Sequence, residues 1–331
     1  MNPPLILLFG MPRSGTTWLG KIFDSHPDTL YRHEPDSKGT LNQIPLFPIV
    51  SDKEKYRLFL EKYIQNLPAI QDEKVSASLP IFPKSYYKPY QLVLRKTLIF
   101  GIKVTSRIFG SLPVPNIVNI ARNRQISIVW KSIESLGRLG VLCQLFPEIR
   151  TIIILRHPCG YVSSVFRGEA QHKFESNAPS SQDWDLYRLM LETPAAIKRG
   201  LDLSTIQAMS PLERLALKWA LYYEQSIQET AGLDNVIIVK YEDLCEHPEI
   251  EARKIFNHCN LPWSDNTNKF IFNSTSYENS NYFSIFKNSK ESAYKWQKEL
   301  TLQDVDQIMN IAARFKASTF YLQSKINLSY K

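Results

Sequence analysis

Apolar residues along this chain gather in short, dense runs. Leu5 to Phe9, Ile126 to Trp130, Thr151 to Leu155 and Val236 to Val239 are each rich in β-branched or large aliphatic side chains, the pattern of strands covered on both faces. Phe100 to Val104 reads as a candidate fifth. Helix starts lie between and beyond these runs. Ser210-Pro211-Leu212-Glu213 offers an N-cap, a proline at the first helical position and a capping-box glutamate, and predicts a long helix through Trp219 to about Gln228. Ser51-Asp52-Lys53-Glu54 and Thr301-Leu302-Gln303-Asp304 open two further helices by the same logic.

Strands separated by helices predict an α/β fold, because parallel strands need long crossovers that are usually helical. No internal repeat or low-complexity tract interrupts the 331 residues, so one domain is expected over 1–331, with its core at about 3–315. The polar stretches Gln171 to Asp183 and Asn273 to Asn281 predict long loops, which often shape acceptor sites.

Composition narrows the class only a little. At 44% hydrophobic and 22% charged residues the chain can bury a sizeable core. Cys143, Cys159, Cys245 and Cys259 are far apart and match no zinc spacing; they read as reduced thiols of a cytoplasmic protein, with no metal site. Leu5 to Phe9 is too short for a signal-peptide core, and no stretch approaches the ~18 apolar residues of a membrane span, so a soluble protein without a transmembrane segment is expected. A formal charge of +8 favours anionic ligands, but no basic tail, zinc finger or basic-aromatic motif points to nucleic acid.

The first strand runs into Gly10-Met11-Pro12-Arg13-Ser14-Gly15-Thr16-Thr17-Trp18, a glycine-bounded loop followed by a helix start. In that geometry backbone N–H groups and a helix N-terminus surround a phosphate. The spacing is G-x4-G, yet Thr16 stands where a nucleotide triphosphatase has its lysine. The strand Thr151 to Leu155 ends in Arg156-His157-Pro158 rather than in the magnesium-holding aspartate that ATP chemistry normally needs. A small-molecule kinase using ATP and magnesium is therefore the runner-up, and a non-catalytic nucleotide-binding module is the third reading.

The loop Pro12 to Trp18 resembles the 5'-phosphosulfate loop of the sulfotransferases that use 3'-phosphoadenosine 5'-phosphosulfate (PAPS). Ile152 to Pro158, with Ser164 eight residues beyond Arg156, resembles their 3'-phosphate strand, loop and helix. The resemblance implies a P-loop NTPase-like three-layer α/β fold, a central parallel sheet flanked by helices, with PAPS as co-substrate and no metal. It implies that Arg13, Ser14, Gly15, Thr16 and Thr17 hold the phosphosulfate and that Arg156 and Ser164 hold the 3'-phosphate. Tyr241, in Tyr241-Glu242-Asp243-Leu244, would lie near the adenine. Trp18 would stack on adenine or pack beneath the first helix. Lys295, with Lys287 and Lys290 as alternatives, resembles a basic segment closing over the 3'-phosphate.

For the transfer itself, Arg13 is expected to stabilise the leaving oxygen, as negative charge develops there. Arginine at this position resembles the tyrosylprotein and carbohydrate branches. Glu34, in Tyr31-Arg32-His33-Glu34-Pro35, resembles the catalytic glutamate of the tyrosylprotein branch; a second strand following the first helix would return it to the reactive end, where it could serve as base. His33 and Glu134 are the alternative bases, and His26 is expected to end a helix. Lys131 resembles a lysine that contacts the sulfuryl group, while Ile133 stands where the cytosolic branch has its histidine. The acceptor would be a hydroxyl or amine, a sugar hydroxyl guessed first; oligomeric state is open.

Overall fold

Four of the dense apolar runs become strands of one sheet, three of them inside it and Val236 to Val239 at its edge. A computed structural model of the protein describes residues 3–37, 39–120, 123, 125–173, 178–276 and 289–322. Its strands are β1 (Leu5–Phe9), β2 (Thr29–His33), β3 (Ser127–Ser132), β4 (Arg150–Leu155) and β5 (Val236–Lys240), all parallel, in the order β2-β3-β1-β4-β5. Strand β1 is central and every one of its residues is buried. Leu5, Leu7 and Phe9 enter one apolar layer and Ile6 and Leu8 the other, which is why the sequence shows a continuous run there.

Crossovers cover both faces. Helix α1 (Thr16–Ser25) joins β1 to β2; α2 (Arg57–Asn66), α3 (Glu73–Ser76) and α4 (Pro89–Phe109) lie between β2 and β3; α5 (Leu139–Leu145) joins β3 to β4; and α6 (Pro158–Ala170) follows β4. The first layer takes residues from α5, α6 and the helix Pro211–Glu229, the second from α1 and the helices Pro248–His258 and Asp265–Ser276. After β1 the chain passes to β2 on one side, and later to β4 on the other, so the crevice at the carboxyl end of β1 is a topological switch point, where α/β folds bind ligands.

Ser210 and Glu213 form the capping box, their side chains and backbones exchanging hydrogen bonds of 2.7 and 3.3 Å. Thr301 and Asp304 do the same for the helix Leu302–Ala312. The start at Ser51 opens as a 3-10 turn, Val50–Tyr56, before α2 continues it.

Two expectations are corrected. Phe100 to Val104 is not a strand but the middle of α4. A short apolar run has no period of its own; Pro89 at the helix start, Gly110 beyond its end and the buried Arg95 and Ile99 one turn apart fix it as helical. The stretch expected to be a loop from Asn273 begins inside the helix Asp265–Ser276, where Ser274 is buried; residues 277–281 lie outside the described residues. Gln171 to Asp183 is irregular apart from the 3-10 turn Ser180–Gln182, with 174–177 outside the described residues.

Candidate active site

The loop after β1 is shaped by close backbone approach. A Cβ on Gly10 would stand 2.5 Å from the Ile154 side chain, and one on Gly15 would stand 2.3 Å from the Tyr241 ring. Gly15 also has φ +91, a left-handed conformation that only glycine adopts cheaply. It precedes α1 without any side-chain cap, which leaves the first-turn N–H groups facing the loop with no side-chain acceptor from that position. The Tyr223 hydroxyl accepts from the Met11 N–H at 3.3 Å and donates to the Ile154 carbonyl at 2.8 Å, pinning the loop to β4. Ser14 is buried and donates to the Met11 carbonyl at 2.6 Å, while Thr16 is buried and Thr17 exposed.

Arg13 and Arg156 meet at this loop. Arg156, at the end of β4, donates from Nη1 to the Arg13 carbonyl at 2.7 Å and from Nη2 to the Ser292 carbonyl at 3.0 Å. Its guanidinium lies 4.8 Å from the Tyr241 ring centroid. Its Nε is buried and has no partner among the described residues, and Gly160 leaves room beside it, since a Cβ there would stand 3.0 Å away. Arg13 Nε donates to the buried Ser164 hydroxyl of α6 at 3.1 Å. Two arginines far apart in sequence are thus brought to one loop, Arg13 reaching α6 through Ser164 and Arg156 holding the backbone of Arg13.

On the other side of β1, β2 and β3 bring Glu34 and Lys131 together. The Glu34 N–H donates to the Lys131 carbonyl at 2.8 Å, and Lys131 Nζ donates to Glu34 Oε1. Lys74, from α3, stands 2.9 Å from Glu34 Oε2. Burial alone would raise the Glu34 carboxyl, but Lys131, His33 and Lys74 outweigh it and hold the group down at about 2. Burial prevails on Lys131, which is sunk deeper, and lowers its pKa against the pull of Glu34. His33 is pushed down to about 3 by burial and by Lys131, so its ring is neutral at neutral pH; Nδ1 lies 2.8 Å from the Tyr31 hydroxyl. Glu134 is half-buried, and burial followed by the charges of Asp36 and Glu34 raises its carboxyl.

Backbone conformation singles out the same residues. Among the described residues the non-glycine positions with positive φ are Arg13 (69°), Glu34 (51°), His172 (49°) and Asn260 (53°). Half of them are site residues. Such a conformation costs about 1–3 kcal/mol and persists where the surroundings enforce it, often at functional sites.

The remaining expected residues are distributed more widely. Trp18 is buried in the layer beneath α1, and its ring N–H donates to Ser274 at 3.0 Å. Tyr241 is buried against Gly15 and Arg156, behind the loop. Lys295 is half-exposed and lies 3.9 Å from Glu299; Lys290 is exposed, and Lys287 lies outside the described residues. His26 bonds the Pro262 carbonyl at 2.9 Å, at the end of α1.

Four residues were not singled out in the sequence. Lys74 reaches Glu34 from a four-residue helix, and no local signal marks it. Asp36 accepts from Trp130 at 3.1 Å and from the hydroxyls of Ser132 and Ser135, organising the end of β3; its place two residues after Glu34 was the available clue. Glu242 accepts from the His157 N–H at 3.0 Å and from the Tyr321 hydroxyl at 2.9 Å, holding the turn after β4. Tyr223, the pin of the loop after β1, sits within an ordinary helical pattern.

Comparison with known proteins adds independent information. A family model described as the sulfotransferase family matches residues 4–265. Carbohydrate sulfotransferase 2 of Homo sapiens is 22% identical over 333 aligned residues, covering 92% of this chain and 62% of that protein, and the Mus musculus protein matches to the same extent. The chain thus spans about three fifths of the length of these curated relatives. Among solved structures, a mouse sulfotransferase complexed with PAP is 14% identical with a TM-score of 0.47, over 97% of this chain and 88% of that one. The sulfotransferase domain of the Synechococcus olefin synthase is 16% identical with a TM-score of 0.43, over 96% and 95% of the two chains.

Proposed function

We propose, since the chain belongs to the sulfotransferase family, that it transfers a sulfuryl group from PAPS to a hydroxyl-bearing acceptor. The observation that carries this reading is the convergence of Arg13 and Arg156, linked at 2.7 Å through the Arg13 carbonyl, at the start of two helices. Two guanidinium groups held around one loop fit a ligand with two separate anionic ends, and the buried Nε of Arg156, without a partner among the described residues, is a donor suited to a phosphate oxygen. PAPS supplies an activated sulfuryl group whose leaving phosphate is already a weak base. Arg13, Ser14, Gly15, Thr16 and Thr17 would hold its phosphosulfate end, and Arg156 and Ser164 its 3'-phosphate. Tyr241 would back the cradle through Gly15, and Lys295 is the outlying member. The packed position of Trp18 supports a structural part for that residue.

Arg13 would neutralise charge growing on the leaving oxygen. Lys131 would face the sulfuryl oxygens, and Glu34 would take the acceptor's proton. A carboxyl held at about 2 is a feeble base, so Glu34 acts in this reading only as Lys131 turns its charge away from the carboxylate. The buried pair therefore stores both functions until they are needed. A carbohydrate acceptor is our first choice, on the strength of the relatives named above; an amine is the alternative to a hydroxyl. Four buried free cysteines support a reducing, cytoplasmic setting.

Calorimetry with adenosine 3',5'-bisphosphate (PAP), paired with a donor-consumption assay over a panel of sugars, phenols and lipids, tests this reading. Arg156→Ala should chiefly weaken PAP binding. Glu34→Gln should bind PAP but lose most turnover; normal turnover in that variant would remove Glu34 as base.

A further inference from the structure

Helix α4 carries an apolar face that nothing in the described structure covers. Tyr90, Val93, Leu94, Phe100, Val104 and Ile108 are all exposed, Phe100 by 72% and Ile108 by 76%. Their spacing follows the three- and four-residue steps of a helix, so they form one stripe along its outer side. The inner side is firmly seated: Arg95 donates to the Ser76 carbonyl at 2.9 Å, Ile99 packs with Ala77 and Val114, and Lys103 and Ser106 bond Glu73 of α3. The stripe is therefore presented by a fixed helix.

Charge selects the partner. Lys96 and Arg107 are exposed and, at 100° per residue, lie on one edge of the stripe. Between Pro89 and Phe109 there is no aspartate or glutamate. A second copy docking stripe to stripe in antiparallel fashion would set these cations against their own equivalents, and in either orientation neither helix offers an acid to pair them. The helix has 21 residues, about 30 Å at the usual rise. No helix among the described residues is long and apolar enough to cross a membrane, and α4 contains Arg95, Lys96, Lys103 and Arg107. An apolar stripe with aromatic members, a basic edge and no acid is the composition of a helix lying in the plane of a lipid interface.

We propose that α4 docks this protein onto an anionic phospholipid surface, the stripe entering the acyl boundary and Lys96 and Arg107 meeting lipid phosphates. The docked helix is one contact away from the catalytic cluster, because α3, which it grips through Glu73, also carries Lys74 to Glu34. Membrane attachment would thus set the acceptor side of the site close to molecules held at the bilayer. The docking itself stands independently of the sulfotransferase reading; only the placement beside the acceptor side rests on it.

Co-sedimentation of the full chain with vesicles of phosphatidylcholine alone, and of phosphatidylcholine mixed with phosphatidylserine, tests it. Binding is expected to the mixed vesicles, to weaken with salt, and to be much lower on the neutral ones. The double variant Phe100→Ser with Val104→Ser should bind about tenfold or more weakly, and Lys96→Glu with Arg107→Glu should lose the preference for phosphatidylserine. Both variants should keep the melting temperature and PAP affinity of the parent, since these side chains are exposed. The proposal is overturned if the parent fails to sediment with the mixed vesicles, if it prefers neutral ones, if either variant binds like the parent, or if light scattering shows a dimer that the serine variant dissolves.

Discussion

The two halves of the crevice hold their charges by different means. On the β1–β4 half, Arg13 and Arg156 are positioned through backbone: a glycine at φ +91, a guanidinium resting on a carbonyl at 2.7 Å, and helix starts whose N–H groups add to the positive field. On the β2–β3 half, Glu34 is enclosed by the side chains of Lys131 and Lys74, with neutral His33 alongside. The first half is a rigid frame for a ligand with fixed shape. The second is a set of opposed charges which, in the proposed reading, an acceptor must loosen before they can react.

If that contrast is right, damage to each half should appear in a different measurement. The largest effect is expected from Glu34→Gln, which should lower turnover by about a thousandfold while PAP affinity, by calorimetry, changes less than about threefold. Because the change leaves Lys131 buried beside an amide, a lower melting temperature is also expected. Glu34→Asp keeps the charge and should recover stability but little turnover. Gly15→Ala attacks the frame instead. Its methyl group would meet the Tyr241 ring and force alanine into a left-handed conformation, so PAP affinity should fall about a hundredfold or more. Arg156→Ala should weaken PAP by about 10- to 100-fold, the worth of charge-assisted hydrogen bonds to one phosphate, with a smaller change in turnover at saturating donor.

The smallest effect should come from Lys74→Met, which removes one of the cations holding the Glu34 carboxyl at about 2. The sign follows from linkage. A carboxyl lower in the folded chain than its ordinary 4.5 contributes stability that is fully present above 4.5 and is lost as pH falls through about 2. In Lys74→Met the folded value rises, so less stability should be lost over that acid range in pH-dependent melting. The acid limb of the rate profile should move to higher pH. An unchanged limb would mean that Glu34 does not set it.

The contrast also explains what could be read from the sequence. The strand runs, the phosphate loop and the arginine after β4 were legible because each is local: a dense apolar run, two glycines at fixed spacing, a basic residue at a strand end. Glu34 and Lys131 were legible as strand-end residues, but their mutual ion pair was not, since β2 and β3 are joined by nearly one hundred residues without a recognisable motif. Lys74 had no signal at all; it reaches the site because α3 packs against β2. The strand misread at Phe100 to Val104 belongs to the same intervening region. Phe100 and Val104 are exposed while Ile102 packs against the small cluster of Ala77, Ile99 and Val114, so the burial of each could not be inferred from its hydrophobicity.

One titration bears on the account more directly than any variant: PAP, and separately ATP with magnesium, into the unmodified chain. We expect PAP to bind in the presence of a metal chelator as tightly as in its absence, and ATP with magnesium to bind far more weakly. Binding of ATP that requires magnesium, with no detectable heat from PAP, would contradict the pairing of Arg13 and Arg156 as a grip for a doubly phosphorylated adenosine.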